Sequence, residues 1–223
     1  GKASVWVLIP TIKGNTRQEI QIHWGKPDAP SESNGKAVFN ETNGYVTVMH
    51  LDNPADVKDE VGSITPQNKG CPAVPGVIGK ALNFTYGKSG VMGGENITNF
   101  PAGDTPHSTE FWFRDYKVPG PWGSRMVSWG VEAKGGHTLG VYSGPLRIRL
   151  SMDCPEEVKF DQWYHVVHTY ENGVQKAYVN GQLSNENKTR VNLPNPLRLY
   201  LGGWYGQWQT DCDLDEVRIS KVQ

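Results

Sequence analysis

The feature of this sequence that most constrains its fold is a two-residue alternation of polar and apolar side chains, repeated in short segments. Leu146, Ile148 and Leu150 alternate with Arg147 and Arg149, for example. A period of two is that of a half-buried β-strand, because successive side chains of a strand point to opposite faces. Apolar residues never follow the 3.6-residue period of a helix for more than about two turns. The chain is therefore predicted to be all-β.

Turn signals separate these segments. Asn172-Gly173 and Asn180-Gly181 favour tight hairpins, since two-residue hairpin turns need backbone conformations that Asn-Gly adopts easily. The chain also contains 26 Gly and 15 Pro among its 223 residues, which disfavours a helical bundle. Short strands joined by short turns indicate an antiparallel β-sandwich. We predict strands at residues 45–51, 80–84, 110–114, 125–131, 138–142, 146–152, 163–170, 174–179, 197–202 and 213–220.

The first 44 residues carry strand patterns of their own. Residues 5–9 are an apolar run, and residues 19–24 alternate strictly between polar and apolar side chains. Gly14-Asn15 lies between them and supplies turn chemistry, so we predict an N-terminal β-hairpin. Residues 27–44 are rich in Pro, Ser, Asn and Gly, which marks them as a linker or a domain edge.

Charge and hydropathy limit the classes of partner. The 22 basic and 23 acidic residues give a net charge of −1. Nucleic acids and membrane surfaces both select a basic face, so neither is expected to bind. The longest aliphatic or aromatic run has five residues, at 5–9, whereas a membrane-spanning helix needs about 20. No contact of this chain with a membrane is expected.

Six motifs, in this order along the chain, resemble those of bacterial laminin-G-like domains of the concanavalin A type. They lie at 48–52, 76–84, 163–167, 178–181, 199–203 and 214–219. The resemblance covers residues 45–223 and implies an antiparallel jelly-roll β-sandwich for that domain. It does not specify a function, because this fold carries lectins, adhesion domains and hydrolases alike.

Residues 1–44 resemble something different. The segments 5–10 and 20–25 are similar to the second half of an uncharacterised β domain that often precedes such jelly rolls in bacterial surface proteins. The resemblance implies a partial N-terminal domain, or hairpin plus linker, at residues 1–44. It also implies a larger modular protein that is extracellular, periplasmic or on the cell surface.

Aromatic residues in Gly-rich loops are the strongest functional signal. Residues 202–209 carry Trp204, Tyr205 and Trp208 between glycines, and Trp122 lies in a Pro-Gly loop. Sugars stack their C–H faces on aromatic rings, and their hydroxyls form hydrogen bonds with polar amide or guanidinium partners. These four residues are therefore predicted to bind carbohydrate, together with Arg147 and Arg149, which share one strand face and fit acidic groups bidentately. The alternative is that the tryptophans fold back over the edge of the sandwich.

Other aromatic residues are predicted to anchor the core. Phe111 and Phe113 alternate inward on one strand, and Trp163 opens a central strand. Trp112 and Arg114 then share the opposite face of the first strand, because side chains alternate between the two faces.

The leading prediction is non-catalytic binding of a polysaccharide. A structural or adhesion module that binds protein is the alternative. A glycoside hydrolase is less favoured, because retaining glycosidases need two carboxylates about 5–5.5 Å apart across the bond that is cleaved. The dense acidic run at 211–216 lies on the closing strand of the resemblance rather than on a catalytic one. No catalytic residue is assigned.

The same acidic run is a candidate for a structural calcium ion. Asp211, Asp213 and Asp215 project to one side of an extended strand, and calcium takes six to eight oxygen ligands. The resemblance implies a role for Asp215, because related jelly rolls often place an aspartate there beside a calcium site. Asp213 and Asp215 are the predicted ligands. The alternative is that Asp215 caps a turn by accepting backbone N–H groups.

The cysteines and histidines give weaker signals. Cys71, Cys154 and Cys212 are far apart; one disulfide is favoured slightly over three buried thiols. The six histidines are dispersed, and His165 and His168 point to opposite faces of their strand. Their spacing predicts no zinc site.

Overall fold

A computed structural model of the protein describes residues 4–116, 123–131, 137–142, 146–204 and 207–221. In these residues a short helix α1 (Gly35–Val38) and a 3-10 turn (Glu41–Asn43) precede seventeen strands. No helix among them has the length and hydropathy needed to cross a bilayer. The strands are β1 (Tyr45–Met49), β2 (Gln67–Lys69), β3 (Ala73–Pro75), β4 (Lys80–Phe84), β5 (Gly90–Ile97), β6 (His107–Asp115), β7 (Ser124–Gly130), β8 (His137–Tyr142), β9 (Arg147–Leu150), β10 (Asp153–Glu157), β11 (Trp163–Glu171), β12 (Val174–Val179), β13 (Gln182–Asn187), β14 (Leu197–Leu201), β15 (Gly203–Trp204), β16 (Gln207–Trp208) and β17 (Cys212–Ser220).

Two antiparallel sheets contain fifteen of these strands. The eight-stranded sheet has the order β13-β12-β11-β6-β17-β4-β3, and β1 also pairs with β17. The seven-stranded sheet has the order β10-β9-β8-β7-β14-β5-β2, while β15 and β16 form a separate small hairpin. Consecutive strands such as β5 and β6 lie in different sheets, so the chain crosses repeatedly from one sheet to the other. This arrangement confirms the predicted antiparallel jelly-roll β-sandwich.

The core lies between the two sheets and follows the two-residue alternation. On β9, Ile148 and Leu150 are buried while Arg147 and Arg149 point outward. Phe111 and Phe113 are fully buried, as predicted. The prediction that Trp163 anchors the core is wrong. Trp163 is half-buried on the outer face of the eight-stranded sheet, and the Arg114 guanidinium lies 5.0 Å from its ring centroid.

The N-terminal segment differs from the prediction. Residues 4–34 contain no strand, and the hairpin expected between residues 5–9 and 19–24 is not formed. Most of its large apolar side chains are exposed, including Ile22 and Trp24. A strand requires hydrogen-bonding partners on a neighbouring strand, and residues 4–34 pair with no described strand.

Trp6 attaches this segment to the jelly roll. The Trp6 ring stacks on His50 with their centroids 5.9 Å apart, and meets Phe39 edge-on at 5.8 Å. The Arg218 guanidinium of β17 lies 4.4 Å from the Trp6 centroid. Aromatic and cation–π contacts of this kind contribute about 0.5–1.5 kcal/mol each.

The three cysteines, Cys71, Cys154 and Cys212, are buried and free. The slightly favoured disulfide is therefore wrong, and the alternative of three buried thiols is right. Burial raises the pKa of Cys71 to about 12, so this thiol stays protonated and unreactive at neutral pH.

Candidate functional site

The predicted arginine pair lies on the outer face of the seven-stranded sheet. Arg147 and Arg149 are exposed on β9, with only β10 beyond them toward the sheet edge. Arg149 pairs with Gly140 of β8, which in turn pairs with Arg125 of β7. Directly paired residues share a face, so Gly140 separates two arginines about 10 Å apart at ordinary strand spacing. This row offers several guanidinium groups above a floor that carries no side chain.

An ion pair on this face engages Arg149. Its Nε atom lies 3.5 Å from Asp153 Oδ1, and both side chains are at least half exposed. Exposed ion pairs contribute little to stability, typically up to about 1 kcal/mol. An anionic ligand can therefore replace Asp153 at low cost.

Trp204 does not present its ring to solvent as expected. It is only 4% exposed, and it meets the Tyr200 ring edge-on at a centroid distance of 6.1 Å. The β15–β16 hairpin holds Trp204 in this position, since Trp204 is paired with Gln207 and the preceding Gly203 with Trp208. Trp204 thus follows the alternative prediction: it covers the sheet, and its ring has no open face for a sugar.

Trp208 keeps part of its ring accessible. It is half-buried, and its centroid lies 6.4 Å from that of Tyr200. A Cβ at Gly90 would overlap the Trp208 ring, so the absence of a side chain there lets the indole lie against β5. Val91 faces the core; its neighbour Gly90 and the indole therefore lie on the outer side of the same seven-stranded sheet.

The structure thus places some, but not all, of the predicted sugar-binding residues on one face. Arg147, Arg149 and Trp208 share that face, whereas Trp204 lies beneath it. β9 and β5 are four strand positions apart, or about 19 Å at ordinary strand spacing. Trp122 and Tyr205 lie outside the described residues.

Asp213 is surrounded by donors rather than open to a cation. Its Oδ2 atom accepts hydrogen bonds from Arg114 Nε at 3.0 Å and Nη2 at 2.7 Å, and from the Tyr116 hydroxyl. Its Oδ1 atom accepts one from Asn83 Nδ2 at 2.8 Å. The guanidinium already balances the carboxylate charge, so Asp213 does not fit the role of metal ligand.

Asp215 is placed differently, two residues along β17. Its Oδ2 atom accepts the backbone N–H groups of Val77 at 2.8 Å and Ile78 at 3.0 Å, which is the turn-capping role given as the alternative. Its Oδ1 atom is buried with no partner among the described residues. Burial raises the pKa of Asp215 to about 6. One carboxylate oxygen is therefore left for a ligand.

A cleft of about 770 Å³ lies beside Asp215. Its lining includes Trp6, His50, Asp52, Glu216 and the loop at 76–80. Glu216 accepts from Arg218 Nη2 at 2.8 Å and lies 2.9 Å from His50 Nδ1. Four separate segments build this cleft, so no local motif in the sequence could have identified it.

A carboxyl group with a raised pKa lies at the other end of β17. Asp115 of β6 is wholly buried, and burial together with the charge of Asp211 raises its pKa to about 7. A raised carboxyl pKa is typical of a glycosidase acid. The Asp115 side chain has no exposed surface, however, so in this conformation it cannot meet a glycosidic oxygen.

Solved structures with similar folds include three carbohydrate-related or binding proteins. Domain 4 of AbnA, an extracellular GH43 arabinanase from Geobacillus stearothermophilus in complex with arabinotriose, aligns with 19% identity and a TM-score of 0.60, over 79% of this chain and 92% of that one. Trypanosoma rangeli sialidase aligns with 18% identity and a TM-score of 0.63, over 81% and 31%. The binding domain of Paraclostridial Mosquitocidal Protein 1 aligns with 15% identity and a TM-score of 0.62, over 80% and 49%. At these identities the likeness shows the fold, and the chain spans about a third of the sialidase.

Family models divide the sequence in two. Residues 1–52 match a domain of unknown function, DUF2341. Residues 91–222 match Laminin_G_3, the model of the concanavalin A-like lectin/glucanases superfamily. No curated protein sequence matches the chain significantly. The second match covers more than half of the chain and coincides with β5 to β17. The chain therefore belongs to the concanavalin A-like lectin/glucanases superfamily.

Proposed function

We propose that this chain is a non-catalytic carbohydrate-binding module of an extracellular modular protein. The observation that carries the proposal is the outer face of the seven-stranded sheet, where Arg147 and Arg149 point outward and Trp208 keeps part of its ring accessible. The fold family and the arabinotriose complex of the arabinanase domain support this choice.

The spacing of the site favours a polymer over a single sugar. The arginine pair and the Trp208 ring are separated by about 19 Å across the sheet, so an extended chain is needed to contact both. The arginines favour carboxylate or sulfate groups, because a guanidinium binds such groups with paired, charge-assisted hydrogen bonds. An acidic polysaccharide is therefore the proposed ligand.

The placement of the acids on this face supports a non-catalytic role. A glycosidase needs a carboxyl pair facing the substrate. On the proposed face, Asp153 is paired with Arg149, and Glu95 accepts a hydrogen bond from the Tyr200 hydroxyl. Both carboxyl groups are therefore engaged by neighbouring side chains of the same face.

A glycan array that includes uronate and sulfated polysaccharides tests this function. Replacing Arg147 or Arg149 by Ala should reduce affinity for the best acidic ligand about tenfold or more, since hydrogen bonds to charged groups contribute about 1.5–3 kcal/mol. Trp208→Ala should cost roughly tenfold, by analogy with stacking contacts. The same incubations should release no reducing ends.

Matched variants away from this face serve as controls. Arg190 is an exposed arginine paired with Asp104, and Trp24 is an exposed tryptophan; Ala at either position should leave binding unchanged. Normal binding by all three site variants would refute the proposed surface. Sugar release that is lost in Asp115→Asn would show instead that the domain is an enzyme.

Calcium is proposed at Asp215 alone, with Asp213 withdrawn as a ligand. The unpartnered Oδ1 atom supports this, as does the exposed carboxylate of Asp52 in the adjoining cleft. Calcium added to EDTA-treated protein should raise the melting temperature, because a ligand that binds only the folded state stabilises it by mass action. Asp215→Asn should abolish the rise. An unchanged melting curve at millimolar calcium would contradict the proposal.

A protein ligand is the second candidate function, and one observation favours it. Ile12, Ile20, Ile22 and Trp24 are all more than half exposed on the N-terminal segment, and exposed apolar groups of this size commonly mark contact sites. An array without a glycan hit, combined with loss of adhesion in Trp24→Ala, would favour this function over carbohydrate binding.

A further inference from the structure

Three histidines meet in the interior of the sandwich, away from every surface described above. His107 of β6 and His168 of β11 come from the eight-stranded sheet, and His137 of β8 comes from the seven-stranded sheet. All three are buried, and one nitrogen of each lies within 4.8 Å of the other two. The ring centroid of His137 lies 4.8 Å from that of His107 and 4.7 Å from that of His168.

The hydrogen bonds of Gln175 fix the tautomer of His168. The Gln175 amide nitrogen donates to the Thr189 carbonyl at 3.0 Å and to Asn187 Oδ1 at 3.3 Å. Its Oε1 atom is therefore the group that faces His168 Nε2, at 3.1 Å. An oxygen acceptor requires a proton on Nε2, so Nδ1 carries a lone pair. That Nδ1 atom is buried with no partner among the described residues.

A second set of hydrogen bonds fixes the tautomer of His107. Its Nδ1 atom lies 2.8 Å from the Thr105 carbonyl, which can only accept, so Nδ1 carries the proton. Its Nε2 atom then offers a lone pair toward His137 Nε2, 2.8 Å away. The far nitrogen of His137, Nδ1, lies 2.8 Å from the Ser151 hydroxyl, which can donate or accept.

We propose that His107, His137 and His168 form a binding site for Zn²⁺ or a similar late first-row transition ion. The ligand atoms are His107 Nε2, His137 Nε2 and His168 Nδ1. The lone pair of His107 Nε2 already points to His137 Nε2, and His168 Nδ1 has no hydrogen-bond partner among the described residues. Imidazole nitrogen suits zinc, copper and nickel, and three histidines with a water or hydroxide form a known zinc ligand set.

The proton balance of binding is simple. His137 must present a lone pair at Nε2, so its proton moves to Nδ1, and the Ser151 hydroxyl changes from donor to acceptor. The other two rings keep their present tautomers. The Thr105 carbonyl and Gln175 Oε1 then accept from the far nitrogens of the ligating rings, which is the arrangement that orients metal-bound histidines. No net proton is released by the protein.

Movements of up to about 1.5 Å are needed to fit the ion, because the three nitrogens lie within 4.8 Å of one another whereas tetrahedral zinc ligands lie closer together. Zinc–nitrogen bonds of about 2.0–2.1 Å place tetrahedral ligands about 3.3 Å apart. The present separation of 2.8 Å between the two Nε2 atoms must open by about half an ångström. Burial also lowers the pKa of His107 and His168 to about 4, so both rings are neutral and available at neutral pH.

Such an ion would connect the two sheets. His107 and His168 lie on one sheet and His137 on the other, so a bound metal crosslinks the layers through the core. The ligands come from positions 30 and 31 residues apart in the sequence, on three different strands. The absence of any local spacing motif explains why the sequence predicted no zinc site.

Refolding provides the test, because a buried site can fill while the chain folds. The protein is unfolded in guanidinium, refolded with one equivalent of Zn²⁺ or with EDTA, and desalted. We expect close to one zinc per chain and a melting temperature several degrees higher than in the EDTA sample. Less than a tenth of an equivalent of zinc, with unchanged melting, would overturn the proposal.

Refolding with Co²⁺ identifies the ligands without mutation. Nitrogen ligation should give visible bands of a four-coordinate ion without a thiolate charge-transfer band. A thiolate band would assign the metal to the buried cysteines instead. Trp129 provides a local probe, because its ring centroid lies 4.9 Å from that of His107 and 5.0 Å from that of His137; bound Co²⁺ should quench its fluorescence.

Variants complete the test. His168→Gln and His107→Gln should each lose at least tenfold in zinc affinity, whereas His165→Gln, on the opposite face of β11, should retain it. If a cluster variant fails to fold, the Co²⁺ spectrum of the natural protein decides. Zinc retained at full affinity by both cluster variants would contradict the proposal.

Discussion

The N-terminal segment and the jelly roll contain similar sequence patterns but have different structures. Residues 19–24 alternate as strictly as β9 does, yet only β9 is a strand. β9 lies between β8 and β10, which satisfy its backbone groups. Residues 4–34 have no such neighbours among the described strands. Alternation therefore specifies which face of a sheet each side chain occupies once a sheet has formed. Formation of the sheet itself requires a neighbouring strand with which the backbone can pair.

The largest expected effect on stability comes from comparing one tryptophan in each region. Trp129 is fully buried between the sheets, and Trp24 is 88% exposed on the N-terminal segment. Trp129→Ala should lower the free energy of unfolding by about 3–5 kcal/mol. Trp24→Ala should change it by less than about 0.5 kcal/mol. Chemical denaturation measures both, and a comparable loss in the two variants would mean that the N-terminal segment folds cooperatively with the jelly roll.

Two ion pairs provide a second, smaller contrast. Asp213 is fully buried and paired with Arg114 at 2.7 Å, whereas Glu19 and Arg17 form an exposed pair at 2.6 Å. Asp213→Asn should destabilise the protein by about 3 kcal/mol, because it removes the buried countercharge of the guanidinium and leaves only the exposed Asp161 at 3.7 Å. Glu19→Gln should cost less than about 0.5 kcal/mol. Equal effects in urea denaturation would contradict the difference in burial.

Lowering the pH should also distinguish the two regions, through a smaller change in the free energy of unfolding. Burial lowers the pKa of His168 from 6.5 to about 4. The unfolded chain therefore takes up this proton first, and the contribution of His168 to stability, complete above pH 6.5, is lost as the pH falls toward 4. Asp115 and Asp215 act in the opposite direction, because their raised pKa values favour the folded state at low pH.

Comparing the pH dependence of stability in histidine variants isolates the contribution of His168. Between pH 7 and pH 5, His168→Gln should lose about 2 kcal/mol less stability than the natural protein. His23→Gln, on the exposed N-terminal segment, should show the natural profile. Denaturation curves of protein refolded in EDTA, at the two pH values, provide the measurement. Identical profiles for all three proteins would mean that His168 does not titrate as its burial requires.

Much of the fold could be predicted because local pattern and tertiary role agree. Strands 80–84 and 174–179 have the predicted bounds, and most others shift by one to three residues. The predictions missed β2, β3, β5, β10, β13, β15 and β16. β5 carries three glycines and β10 a proline, both unfavourable for strands. Pairing with β14 and β9 overrides these preferences.

The candidate site was less predictable because it depends on contacts between distant segments. Arg147 and Arg149 could be assigned to an outer face from alternation alone. Trp204 could not, since its burial depends on Tyr200 and the short β15–β16 hairpin. Asp213 likewise appears in the sequence as one of several acids, and only the fold shows that Arg114 and Asn83 occupy its oxygens.

The pairing of β1 with β17 has a mechanical consequence. Tyr45 is paired with Ser220, and Lys221 N–H donates to the Gly44 carbonyl at 2.8 Å. The polypeptide thus enters and leaves the jelly roll at the same point. Tension applied through both flanks would peel β1 from β17 one hydrogen bond at a time rather than shear all of them together. For the same reason, the jelly roll can be inserted into a surface loop of a host protein without separating the ends of that loop.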